Sequence, residues 1–156
     1  MATETLEKAR FNMVQQQIRP WDVFDQRVLD ILETLPRDGF VPETYLDLAY
    51  ADIEIPIGAG QQMMFPRVEA RLMQALDIQP EDSILEIGTG SGYLTACLAK
   101  LGSRVVSLDT RAEFTRQAAE RLAAHGIDNV ELQTSDGLAA PHASGPFDVI
   151  AVTGSL

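Results

Sequence analysis

Between Ser83 and Tyr93 the chain reads Ser-Ile-Leu-Glu-Ile-Gly-Thr-Gly-Ser-Gly-Tyr, an apolar run with one acid that breaks into three alternating glycines. Such a run predicts a strand buried inside a parallel sheet. Gly88, Gly90 and Gly92 can adopt φ > 0 and let a ligand lie against the backbone. Leu94 to Leu101 then has helical composition and apolar spacing. Strand, glycine loop and helix in that order form a nucleotide-type site. A dinucleotide fingerprint would need glycine at position 93, where helix and strand pack tightly, but Tyr93 stands there. An acid followed by Gly-x-Gly-x-Gly points instead to S-adenosylmethionine (SAM).

A second apolar run, Arg104 to Leu108, ends at Asp109. This lies about 20 positions past Gly88, the spacing of a ribose-binding acid. A carboxylate there can accept both ribose hydroxyls. The alternative is that Asp109 helps to cap the following helix, although Thr110-Arg-Ala-Glu113 already has the form of a capping box. Asp136-Gly137 lies just past the third expected strand, Val130 to Thr134, and could accept from an adenine amino group. Ser-Asp-Gly is equally ordinary turn chemistry, and both readings stand.

These features sit in an alternating strand and helix pattern, which predicts a doubly wound, Rossmann-like α/β domain. Its strands are expected at Ser83 to Ile87, Arg104 to Leu108, Val130 to Thr134 and Asp148 to Thr153. Its helices are expected near Tyr93 to Leu101 and Ala112 to His125, with Gly102 and Gly126 as C-caps. Residues 1–80 read as a helical and loop extension covering the site, and 81–156 as the SAM-binding core, together one domain. In the extension, Leu6, Ala9, Met13, Val14 and Gln17-Ile18 share one helical face, and Val28, Leu29 and Leu32 form a second stripe after Asp25. Glu43 to Tyr50 is expected to be a short helix with Leu46, Ala49 and Tyr50 inward. Ile53, Ile55 and Ile57 alternate as in an edge strand. No regular element is expected from Gly58 until Pro66 opens a helix, whose buried face is Val68, Leu72, Ala75 and Leu76.

Composition narrows the partners. Twelve Lys and Arg against 23 Asp and Glu give a net charge of −11, which leaves no basic surface for a phosphate backbone and argues against nucleic acid. The single cysteine, Cys97, can form no internal disulfide and fits a reducing cytoplasm and a place in the core. His125 and His142 have no partners at metal spacing, so no metal is expected. The N-terminus lacks a signal-peptide pattern and no apolar stretch approaches membrane-spanning length, so the chain is expected to be cytoplasmic, with no membrane partner.

From about Met13 to the end the sequence resembles the protein-L-isoaspartate O-methyltransferase family. The resemblance rests on Met13-Val14 with Gln17-Ile18-Arg19, Asp25 to Leu29, Pro36-Arg37 with Phe40-Val41-Pro42, Ala49-Tyr50 with Asp52, Pro56-Ile57-Gly58 with Gly60-Gln61, Leu85 to Tyr93 and Asp136-Gly137. A generic methyltransferase would share only the glycine loop. The resemblance implies a SAM-dependent enzyme that methylates the free carboxylate of isoaspartyl residues in damaged proteins and so starts their repair. The alternatives are a methyltransferase with a small-molecule acceptor and a SAM-binding homologue without isoaspartyl activity. Carried onto this sequence, the resemblance assigns Glu86, Gly88, Thr89, Gly90, Ser91, Gly92, Asp109, Thr110, Asp136 and Gly137 to the cofactor. It assigns Gln61, Gln62, Met63, Met64 and Pro66 to the substrate. Two departures accompany it. Gln62 stands at the family's Thr and Met64 at its Ser, so both hydroxyls are missing and no catalytic side chain is assigned. The family also continues through further strands, which predicts a core truncated at its C-terminal side.

Overall fold

The computed structural model describes residues 2–136 and 145–154. Gly137 and His142 lie outside the described residues. The chain divides into two compact units, Met1–Asp77 and Ile78–Leu156.

The first unit begins with α1 (Ala2–Met13), whose winding loosens into a π-helical turn, Val14–Ile18, and tightens into a 3₁₀ turn, Arg19–Trp21. The expected stripe is present, and Met13, Val14 and Ile18 are buried. Helix α2 (Gln26–Thr34) starts at Asp25, whose side chain accepts the Arg27 N–H at 3.0 Å. It buries Val28, Leu29 and Leu32 as expected, each contributing about 1.5 to 3 kcal/mol. After it come two 3₁₀ segments, Arg37–Phe40 and Glu43–Leu48. The second is not the helix expected over Glu43 to Tyr50, because Tyr45 leaves helical geometry and kinks it. Ala49 and Tyr50 turn inward, while Leu46 is exposed.

Next is a hairpin: β1 (Ile55–Gly58) takes up most of the expected edge strand, and β2 (Gln61–Met63) pairs with it where no regular element was expected between Gly58 and Pro66. The turn Gly58-Ala59-Gly60 makes it possible, since all three residues take φ > 0. Ile53 falls before the strand rather than in it. Helix α3 (Pro66–Leu76) opens at Pro66 as expected, but its buried face is Pro66, Glu69, Ala70 and Met73. Ala75 is exposed, and Val68, Leu72 and Leu76 are half-buried. The stripe is rotated because it includes an acid, Glu69, which finds a buried partner in Arg37.

The second unit contains β3 (Ser83–Ile87), α4 (Tyr93–Leu101), β4 (Arg104–Asp109), α5 (Ala112–Ala124), β5 (Val130–Thr134) and β6 (Val149–Val152). The four strands form one parallel sheet in the order β5-β4-β3-β6. The chain therefore winds outward from β3 through β4 to β5, then crosses back to the other side of β3. That reversal is the topological switch point of a doubly wound sheet, and ligands bind there beyond the carboxyl ends of the strands. Leu85, Val106 and Leu108 form a core cluster with Ile87 and Phe147 against it. Cys97 is buried, as expected for a core residue. Gly126 has the left-handed φ of a helix cap, but Gly102 does not. A Cβ at Gly102 would come within 2.7 Å of Ile84 and 2.9 Å of the Asp82 carbonyl, so closeness rather than handedness requires glycine there.

Candidate functional site

In the second unit the site is assembled at the carboxyl ends of β3, β4 and β5. The loop after β3 turns through Gly88, Gly90 and Gly92, with φ of 111°, 54° and 89°. The reason for glycine at 88 differs from the sequence reading. A Cβ there would lie 2.3 Å from the Gly154 nitrogen, so the space is taken by the chain leaving β6 rather than by a ligand. Thr153 closes the contact by donating from its hydroxyl to the Gly88 carbonyl at 3.1 Å.

Glu86, the acid of the central strand, is fully buried. Its Oε1 accepts from the hydroxyls of Thr95 on α4 and Ser107 on β4, the latter at 2.6 Å. With its one proton given to Glu86, Ser107 must accept from Thr89, whose hydroxyl lies 2.6 Å away. Glu86 thus holds the glycine loop through a chain of two hydroxyls. Ser107 and Thr95 were not singled out in the sequence, although a lone serine inside Val105-Val106-Ser107-Leu108 is a legible sign of a polar partner in the core.

Asp109, half-buried at the end of β4, uses one carboxylate oxygen for each neighbouring loop. Oδ2 accepts the Gly90 N–H at 3.1 Å and Oδ1 the Arg111 N–H at 3.0 Å. The capping box expected at Thr110 is not formed, because α5 starts after Arg111 without a side-chain cap and Asp109 serves the entry to it instead. Each oxygen keeps acceptor capacity for a further donor. Ser135, just past β5, donates its N–H to the Asp109 carbonyl at 2.9 Å, and its own hydroxyl is buried without a partner among the described residues. Thr110 and Asp136 are exposed, whereas Thr89 and Ser91 are buried. Arg121 on α5 donates to the Ser91 carbonyl at 2.8 Å; burial lowers its pKa, opposed by the charge of Glu120. A loop with its carbonyls tied back, an acid with spare acceptor capacity and an orphan hydroxyl suit a polar, ribose-bearing ligand such as SAM.

In the first unit, Gln61 to Pro66 runs through β2 into α3. Gln62 is exposed, Met63 and Pro66 are buried, and Gln61 and Met64 are half-buried. Met63 therefore fills core, while Met64 keeps a partly open surface. Beneath them Arg37, with no exposed surface, pairs with Glu69 and donates to the Met64 carbonyl at 3.0 Å. Burial pushes the Glu69 carboxyl up, against the downward pull of Arg37. Arg67 lies on the Trp21 ring at 4.0 Å and the Phe65 ring at 4.6 Å, with its Nε on Asp52 at 2.8 Å. Among the described residues no group of three or more His, Cys, Asp or Glu could hold a metal ion, and no helix is long and apolar enough to cross a membrane.

The family model for protein-L-isoaspartate(D-aspartate) O-methyltransferase matches residues 8–156. A protein-L-isoaspartate O-methyltransferase of Methanoculleus marisnigri is 38% identical over 98% of this chain and 70% of its own length. One from a Synechococcus species is 40% identical over 97% of this chain and 62% of its own. A Plasmodium falciparum structure assigned to the same activity and solved with S-adenosyl-L-homocysteine superposes with a TM-score of 0.76, at 20% identity, over 94% of this chain and 72% of that one. The chain thus spans roughly two thirds of the length of the relatives it matches. By sequence on both sides of the glycine loop, and by the α/β fold around it, the chain belongs to the protein-L-isoaspartate O-methyltransferase family of SAM-dependent enzymes.

Proposed function

We propose that this chain carries the cofactor-binding and acceptor-binding parts of an enzyme that transfers the methyl group of SAM to the free carboxylate of L-isoaspartyl residues in damaged proteins. The observation carrying this reading is that the family match begins at residue 8 and runs through the first unit. A shared glycine loop alone would support only SAM binding.

Bound at the carboxyl ends of the strands, SAM would supply an electrophilic methyl group. Asp109 would take the ribose hydroxyls, the glycine loop would carry the backbone contacts, and Asp136 would lie towards the adenine. Glu86, buried behind the loop, would act by fixing Thr89. The acceptor carboxylate is ionised near pH 7, so the chain needs no general base. Its task is alignment and exclusion of water. Gln61 to Pro66 would form the acceptor side, and residues 1–80 would act as its cover. Met64 and Gln62 in place of two hydroxyls favour a second reading, a more apolar acceptor. Buried Cys97 supports a reducing, cytoplasmic setting.

Radiolabelled methyl transfer separates these readings. Base-labile esters on an isoaspartyl peptide, and none on its aspartyl twin, are expected. Label found only in a metabolite extract would replace the acceptor, and cofactor binding without turnover would leave a SAM-binding homologue.

A further inference from the structure

Arg37 and Glu69 are the conspicuous buried charges of the first unit: both side chains are removed from water, and the pair lies directly under the segment read above as the acceptor side. Such pairs are poor stabilisers, because taking two charges out of water costs several kcal/mol per ion and an apolar pair of similar volume is often as stable or more so. The upward push of burial on Glu69, despite its partner, points the same way. What an apolar pair could not supply is a donor. Arginine carries a rigid fork of N–H groups, and here one arm meets Glu69 on α3 while another reaches 3.0 Å to the carbonyl of Met64. Lysine, a single charged nitrogen on a flexible stem, could not hold both partners in one fixed geometry.

We propose that Arg37 is a positioning residue that fixes the backbone of the acceptor segment from beneath, with Glu69 holding its guanidinium in place. The inference rests on assigning Gln61 to Pro66 to the acceptor. The segment is then held at three points. The hairpin register pairs Met63 with Ile55, Arg37 holds the Met64 carbonyl, and the Phe65 carbonyl accepts from Val68 and Glu69 at the start of α3. Arg37 is the contact of the three that comes from outside the hairpin and its helix, so it sets where the peptide between them lies.

The test replaces both charges by apolar side chains, Arg37→Met with Glu69→Leu, and reads amide hydrogen exchange along the whole chain. The double variant is expected to melt at or above the parent temperature, yet exchange at Gln61 to Phe65 should accelerate at least tenfold while the 88–92 loop is unchanged. For an active parent, KM for the isoaspartyl peptide should rise with the S-adenosylhomocysteine Kd unchanged. If the double variant does not fold, Arg37→Lys replaces it. That variant retains the charge pair, loses the second arm and should show the same local acceleration. Parent-like exchange at 61–65 in a folded variant overturns the proposal. A parent that methylates nothing would sink the functional reading instead, and the exchange result would still decide the role of Arg37.

Discussion

The hairpin turn 58–60 and the glycine loop 88–92 each use three residues with φ > 0, and they do so for different reasons. In the hairpin the reason is the turn itself. A Cβ at Gly58 or Gly60 would meet nothing within 4 Å, and Ala59 already carries one at φ 54°. In the glycine loop the reason at Gly88 is crowding by the Gly154 backbone, which cannot move aside as a flexible side chain could. The anchors differ too. The loop is tied by hydroxyls and one carboxylate to neighbouring strands, whereas the segment after the hairpin is tied by a buried ion pair. A positive φ therefore says little about tolerance until the surroundings are known.

That contrast can be broken most sharply at Gly88. Gly88→Ala adds the strain of a glycine-only conformation to a backbone collision and should cost more than about 3 kcal/mol, with loss of S-adenosylhomocysteine binding. A thermal melt and titration calorimetry measure both, and a parent-like melt would refute the crowding argument. Asp109→Ala should come next. It removes the acceptor shared by Gly90, Arg111 and the proposed ribose, and should weaken calorimetric affinity by about 1 to 3 kcal/mol, or roughly 5- to 150-fold.

In the first unit Tyr50 offers a pH test of the network beside Arg37. Its hydroxyl donates to Asp38 at 2.5 Å, and burial, followed by the carboxylate, raises its pKa to about 12. The folded state holds this proton more tightly than the unfolded state does. Its contribution is therefore constant below pH 10 and is lost as pH rises from 10 to 12, amounting to no more than about 2.7 kcal/mol. Denaturant unfolding across that range should show the fall, and Tyr50→Phe should flatten it. Met64→Ser with Gln62→Thr restores the family hydroxyls. If these strengthen acceptor binding only in the transition state, isoaspartyl methylation should rise by about 1 to 2 kcal/mol, roughly five- to thirty-fold. An unchanged rate with intact cofactor binding would remove this account of the segment. The smallest effect belongs to Gly60→Ala, where conformational strain alone should lower stability by about 1 kcal/mol. A loss matching that of Gly88→Ala would erase the distinction between the two turns.

Much of the second unit was legible because its signals are local. Ser83–Ile87, Val130–Thr134 and Tyr93–Leu101 have the expected bounds; the first and last are largely apolar runs followed by glycine, and Val130–Thr134 alternates apolar with polar residues. Capping by Asp109 was legible only as an alternative, since Thr110 to Glu113 has the letters of a capping box, and only the strand's end places a nearer acceptor at the Arg111 N–H. The buried face of α3 was misread for a similar reason. An acid at position 69 normally faces water, and its partner lies 32 residues earlier with no periodicity linking the two. Gly88 looked like a ligand contact because its true neighbour, Gly154, is far along the chain. Close backbone approaches and buried ion pairs are properties of the assembled fold, and a pattern of residue types carries little trace of them.

The strand order also sets a timetable for the site during synthesis. Strand β3 is an interior strand of its sheet, yet its β6 neighbour is made much later, with Ser83 and Asp148 65 residues apart. At ribosomal rates of about 5 to 20 residues per second, one side of β3 stays without its β6 partner for about 3 to 13 seconds after it emerges. The Gly88 carbonyl also waits for the hydroxyl of Thr153. A nascent chain can therefore display the whole glycine motif before the loop is held in its final shape, and cofactor capture is expected only once residues 149–154 have emerged and docked.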